Sequence, residues 1–105
     1  MRQIKLYSNE VWPLLNVLNE VCYGIKINNL EISIGVKKQI VVDFMDSIVE
    51  EEKKNEVILT IDDSELNFLN NSFEEVFRQI EEWEFQTRIG ISIQEAQKIQ
   101  EKLNL

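Results

Sequence analysis

A constant offset of 55 residues relates the two halves of this 105-residue chain, and it constrains the fold more than any other feature of the sequence. Residues 6–48 align with residues 61–103 without a gap, and nine of the 43 aligned pairs are identical. The identities include Asn16 with Asn71 and an Ile-Gly dipeptide, and many other pairs keep their apolar character. We therefore predict an internal duplication. Since two copies are too few for a solenoid, a compact domain with pseudo-twofold symmetry is expected.

Each copy has the same predicted order of strand, helix, strand and helix. Alternating β-branched and apolar residues predict the strands, and apolar residues three or four positions apart predict the helices. The predicted strands are residues 3–7, 30–34, 57–61 and 84–89. The predicted fold class is therefore α+β: two tandem β-α-β-α copies, residues 3–50 and 57–105, form one domain of four helices with a small sheet. Strands 3–7 and 57–61 are expected to pair across the pseudo-twofold axis, and residues 50–55 to form a charged connector.

Local signals predict where several of these elements begin and end. Residues 62–65 and 92–95 each form a capping box, in which the first and fourth side chains bond to each other's backbone N–H. Pro13 is expected to move the start of the first helix to a later position. Gly35 and Gly90 are expected to adopt a backbone geometry that other residues resist.

Four side chains receive structural predictions from their places in these patterns. Cys22 lies in an apolar helical stripe and aligns with Phe77, which predicts a buried and unreactive thiol. Trp83 is expected to close the core beside Phe85. Phe68 is expected to point away from the buried face of its helix. Arg88 is expected to pair with Glu84, since both would lie on the same face of the predicted strand 84–89.

Composition excludes several classes of function. The chain has no histidine, the commonest general base near neutral pH, and its single Cys22 cannot form an internal disulfide or a thiolate zinc site. A reduced thiol and the absence of a signal-peptide pattern at the N-terminus predict a cytoplasmic protein. The net charge of −8 disfavours nucleic acids and anionic membranes as partners and favours a basic protein.

The negative charge is concentrated in the second half of the chain. Residues 1–50 have a balance of −1 and residues 51–105 a balance of −7. The candidate acidic surface consists of Glu74, Glu75, Glu81, Glu82 and Glu84. A solvated face and a docking surface for a basic partner are both consistent with this cluster, and Glu74 is spaced to pair with Arg78. A paired-carboxylate hydrolase would need two acids facing each other across a cleft, and no spacing here requires that.

A second candidate surface is an outer stripe of the first helix. It consists of Trp12, Asn16, Asn19 and Tyr23. The aligned positions in copy two are all polar, so only one copy has aromatic residues here. Either this stripe binds a partner, or other helices or a second subunit cover its aromatic side chains.

Two sequence blocks resemble motifs of small bacterial proteins that are largely uncharacterised. They are Leu-Asn-Glu-Val-Cys-Tyr-Gly-Ile at residues 18–25 and Glu-Phe-Gln-Thr-Arg-Ile-Gly at residues 84–90. In those proteins an L-N-E-V-C-x-G-I block precedes an E-F-x-T-R-I-G block within one unit, whereas here the better match to each block lies in a different copy. The resemblance implies no catalytic residue. In size, charge and character the chain is also similar to the immunity proteins that accompany polymorphic or contact-dependent toxins.

These observations predict a cytoplasmic, non-enzymatic binding protein without cofactor or metal. Its most specific form is an immunity protein that neutralises a basic, nuclease-type toxin by blocking the active site. The alternative is a homodimeric structural or regulatory adaptor, joined through the stripe of Trp12 and Tyr23, with no toxin partner.

Overall fold

Helices dominate residues 1–51 and 56–105, which are the residues described by the computed structural model. Each of two strands is followed by three α-helices, and a π-helical turn extends the first helix. The elements are β1 Arg2–Tyr7, α1 Ser8–Asn19, the π-helical turn Glu20–Gly24, α2 Leu30–Ile34, α3 Lys38–Glu51, β2 Glu56–Ile61, α4 Asp63–Gln79, α5 Glu82–Ile89 and α6 Ile93–Leu103.

The predicted fold class, two β-α-β-α copies with four helices, is wrong because two predicted strands are helical. Residues 30–34 form α2, and residues 84–89 belong to α5. In α5 the buried side chains are Phe85 and Ile89, four positions apart. Residues four apart share a face on a strand as well as on a helix, so this apolar spacing does not distinguish the two. For α2, a local interaction favours the helix over the strand. Asn29 is its N-cap, and the Asn29 side chain accepts a hydrogen bond from Ile32 N at 3.2 Å.

Two aromatic residues lie opposite to their predicted positions. Trp83 does not close the core; it is 78% exposed, while Phe85 is buried. On a helix, residues two apart point about 200° from each other, so burial of Phe85 directs Trp83 outward. Phe68 is buried rather than exposed, and the ring of Phe44 from α3 packs edge-on against it, with ring centroids 5.3 Å apart.

The predicted pairing of strands 3–7 and 57–61, the first strand of each copy, is confirmed. Strands β1 and β2 are antiparallel, with Ile4 opposite Leu59 at the centre of the register, two positions that are 55 residues apart. One face of this sheet packs on the helices and contributes Ile4, Leu6, Val57, Leu59 and Ile61 to the core.

The offset of 55 also relates several helix bounds. When 55 is added to the residue numbers of the first helix and its π-helical turn, 8–24, the result is the range of α4. When 55 is subtracted from the residue numbers of α6, the resulting range lies within α3. The internal duplication itself stays a prediction. Of the predicted connector 50–55, residues 50 and 51 belong to α3, and residues 52–55 lie outside the described residues.

Both predicted capping boxes are confirmed. Asp62 accepts from Glu65 N at 2.8 Å while Glu65 accepts from Asp62 N at 3.0 Å, and Ser92 is related to Glu95 in the same way. Pro13 does not delay the first helix, which begins at residue 8 and contains the buried proline.

Two reciprocal hydrogen bonds join the halves of the chain. Asn16 Nδ2 donates to Ile89 O at 2.8 Å, and Asn71 Nδ2 donates to Ile34 O at 2.9 Å. The two donors are 55 residues apart in the sequence, and so are the two acceptors. The last turn of a helix leaves its carbonyls without partners, so each half supplies a donor that the other half lacks.

The predicted special geometry of the two aligned glycines is confirmed. Gly35 and Gly90 have φ of 102° and 97°, in the left-handed region, and end α2 and α5. Asn67 lies close to the first of them, since an added Cβ on Gly35 would lie 3.0 Å from its Nδ2. The glycines turn the chain directly after the carbonyls that the asparagines bind.

The first strand and the last helix are also in contact. Arg2 Nη1 donates to Leu103 O at 2.7 Å, and Lys102 Nζ lies 2.8 Å from Glu10 Oε1. These contacts hold α6 against β1 and α1.

Removal of either asparagine amide should destabilise the fold. We expect Asn16→Ala and Asn71→Ala each to lower the free energy of unfolding by about 1–2 kcal/mol, because each leaves a part-buried carbonyl without its donor. Urea denaturation followed by circular dichroism measures this. The control is Asn28→Ala, at an exposed position; a loss equal to that of the control would contradict the assigned role.

Candidate partner-binding surface

The predicted outer stripe of the first helix is only partly free. Trp12 is 50% exposed and Tyr23 is 64% exposed, and Asn19 is also exposed. Asn16 is half-buried and its amide is engaged with the end of α5. Lys38 Nζ lies 4.2 Å from the centroid of the Tyr23 ring, a cation–π contact that joins the π-helical turn to α3.

An ion pair joins the two sequence blocks that resemble bacterial motifs. Arg88, from the second block, pairs with both carboxylate oxygens of Glu20, from the first, and its Nε lies 3.2 Å from Oε2. Glu84 lies one helical turn before Arg88, with Oε2 3.5 Å from Nη1. The hydrogen bond from Arg88 to Glu20 raises the pKa of the guanidinium above its ordinary value. The pair therefore ties α5 to the end of the first helix.

The sequence-based prediction paired Arg88 with Glu84 alone and missed Glu20, 68 residues away. Gly24 is the sequence feature that could have indicated the pairing of Arg88 with Glu20. An added Cβ there would lie 2.7 Å from Cδ of Glu20, so the glycine leaves room for the carboxylate to fold over it towards Arg88. The position 55 residues later is Gln79, whose Nε2 donates to the aligned glutamate, Glu75, at 2.9 Å.

Three of the five predicted surface carboxylates are engaged by neighbouring side chains. Glu74 is exposed and accepts from Gln100 Nε2 at 3.1 Å, and Glu84 has its ion pair within α5. Arg78 pairs with Glu75, three residues before it, rather than with Glu74 as predicted. Glu75 and Glu84 therefore have part of their charge compensated within the fold. The amide of Gln100 is neutral, so its hydrogen bond holds Glu74 in place without offsetting its charge.

The remaining two carboxylates, Glu81 and Glu82, lie at the start of α5 and are exposed. Neither forms an ion pair with any described residue. They precede Trp83, which was not predicted to belong to a surface. The structure thus places two exposed carboxylates without an ion pair, and an exposed indole, at the start of one short helix.

The thiol of Cys22 is buried, as predicted. It is 8% exposed, and burial raises its pKa, with Lys38 acting in the opposite direction. A raised pKa lowers the thiolate fraction near neutral pH, and the thiolate is the reactive form.

Neither a metal centre nor a membrane span is present among the described residues. Residues 1–51 and 56–105 contain no group of three Cys, Asp or Glu side chains placed to hold an ion. Within the same residues, every helix is too short or too polar to cross a bilayer.

Comparison of the chain with protein-family models, curated proteins and solved structures finds no match.

The link between Gly24, Glu20 and Arg88 can be tested by a double-mutant cycle. We expect Arg88→Ala to lower the free energy of unfolding by about 1–3 kcal/mol, because it leaves the half-buried carboxylate of Glu20 without its partner. Gly24→Ala should displace the same carboxylate, so the double variant should lose less than the sum of the two single losses. Urea denaturation of the four proteins gives the coupling energy.

Arg78→Ala provides the matched control, since this arginine pairs with Glu75 at the surface and should contribute at most about 1 kcal/mol. Additive losses in the cycle, or a loss for Arg88→Ala no larger than that of the control, would contradict the role given to the ion pair.

Proposed function

We propose that this protein is an acidic inhibitor of a basic protein partner. In its most specific form it is a cytoplasmic immunity protein that occupies the active site of a nuclease-type bacterial toxin. The observation that supports this proposal best is the pair of exposed carboxylates, Glu81 and Glu82, that have no ion-pair partner among the described residues.

The chemistry of nucleases explains why such charges matter. A nuclease binds the phosphates of its substrate through lysine and arginine side chains, so its active site attracts other anions. Carboxylates without a cationic neighbour in the fold remain available to pair with the lysine and arginine side chains of such a site. The net charge of −8 adds long-range attraction, which raises the association rate of oppositely charged proteins.

The rigidity of α5 supports the same proposal. Its end is held by the hydrogen bond from Asn16 and by the ion pair of Arg88 with Glu20, and its inner face is buried through Phe85 and Ile89. A surface that is already ordered before binding loses less conformational entropy when the complex forms. The compensated charges of the helix therefore hold it in place, and the uncompensated ones remain for the partner.

Reversal of the free charges should slow complex formation. We expect Glu81→Lys combined with Glu82→Lys to lower the association rate with the basic partner at least tenfold at low salt, and to weaken its salt dependence. The partner is obtained on a column of the immobilised protein, by salt elution from a lysate of the source organism. Association is then measured by surface plasmon resonance at several salt concentrations.

The matched control is Glu101→Lys, a reversal on the exposed side of α6. A partner that loses nuclease activity when the wild-type protein is added would support the toxin-inhibitor form. If the double reversal and the control associate at the same rate, the acidic surface is not the contact.

A second candidate, a homodimeric adaptor, is favoured by the exposure of Trp12 and Tyr23. Under the inhibitor proposal, light scattering of the purified protein should give the mass of one chain. A dimer that dissociates on Trp12→Ala, with no basic partner retained on the column, would favour the adaptor.

A further inference from the structure

Trp83 is the most exposed aromatic side chain of the protein, at 78%. Phe85 and Ile89 provide the buried face of α5, so the fold does not need an indole on the opposite side. Trp83 leaves a large apolar area in water, and the burial of such an area in a complex is favourable. Tryptophan is also enriched among the residues that dominate binding energy at protein interfaces.

The residues that precede Trp83 in the sequence narrow the chemistry of a partner that could cover it. Glu81 and Glu82 directly precede it, both exposed and without an ion pair among the described residues. An apolar surface from an acidic or uncharged partner would bury these carboxylates at a cost, because they would lose hydration without gaining a counter-charge. A partner with lysine or arginine around an apolar slot would bury the indole and pair with the carboxylates in the same contact.

The corresponding segment of the first half has neither a tryptophan nor a pair of acidic residues. Residues 26–29 read Lys-Ile-Asn-Asn where residues 81–84 read Glu-Glu-Trp-Glu. The helix that follows, α2, also exposes a large apolar side chain, since Ile32 is 79% exposed. It lacks the acidic pair, so the combination of indole and free carboxylates is present at α5 and not at α2.

From these observations we infer that α5 is the contact surface of this protein, with Trp83 inserted into an apolar slot of a basic partner and Glu81 and Glu82 paired with cations at the rim. This inference deepens the proposed function and rests on it. It assigns the contact to α5 rather than to the outer stripe of α1. It also gives the partner a shape, an apolar depression ringed by positive charge.

The test uses a display library of random 12-residue peptides, selected on the full-length wild-type protein. We expect enriched peptides to combine lysine or arginine with aromatic or aliphatic residues. Their affinity for Trp83→Ala should be at least tenfold weaker than for wild type. Ile32→Ala is the matched control, a truncation at an equally exposed position of α2, and should bind as wild type does.

Fluorescence locates the contact directly. The chain has two tryptophans, so in Trp12→Phe all indole emission comes from Trp83. Bound peptide should shift this emission to shorter wavelength and protect it from acrylamide quenching. Circular dichroism checks that each variant is folded. Failure to enrich any basic peptide, equal binding to wild type and Trp83→Ala, or unchanged quenching would each overturn the inference.

Two further outcomes separate this inference from the proposed function. If the captured partner is a nuclease that wild type and Trp83→Ala inhibit equally, the inhibitor proposal holds and α5 is not the contact. If basic peptides bind at Trp83 but no basic protein is retained from the lysate, the inference on α5 holds and the inhibitor proposal fails. A dimer that dissociates on Trp83→Ala would show that a second copy covers the helix, and would overturn the inference.

Discussion

The exchange of one hydrogen bond in each direction between the halves underlies the rest of this structure. Asn16 completes the end of α5 and Asn71 completes the end of α2, each by donating to the carbonyl that precedes a left-handed glycine. A helix that ends in a partly buried place must find partners for its last carbonyls, or lose stability for each one left over. Because the donors come from the opposite half, neither half has a complete set of partners without the other.

This dependence is strongest for α5, a helix of eight residues. Helices of this length are marginal in water without tertiary contacts. The contacts that hold it, namely the bond from Asn16, the pair of Arg88 with Glu20 and the burial of Phe85, all lie on its inner side or at its end. Its outer side is therefore free of structural demands, and it is there that Trp83 is exposed.

Most of what could be predicted from the sequence is determined by a few neighbouring residues. The pairing of β1 with β2 is the exception, because the offset of 55 predicted this contact between distant segments. The capping box at Asp62 and the left-handed turn at Gly90 are properties of four or five consecutive residues, and both were predicted correctly. The secondary structure around Phe85 was predicted incorrectly, because a spacing of four residues suits both a strand and a helix. The incorrect prediction that Trp83 is buried followed from that error. The partner of Arg88 was missed because it lies 68 positions away and only the packing of α5 brings it near.

The contact between Arg2 and Leu103 has a consequence for the path of the chain. By the offset of 55, these positions correspond to residues 57 and 48, which the chain joins covalently through the segment between α3 and β2. Residues 2 and 103 are thus joined by a side-chain hydrogen bond, and residues 57 and 48 are joined by the chain itself. A circular permutant, opened between α3 and β2 and closed between α6 and β1, would retain the exchange of hydrogen bonds between the halves.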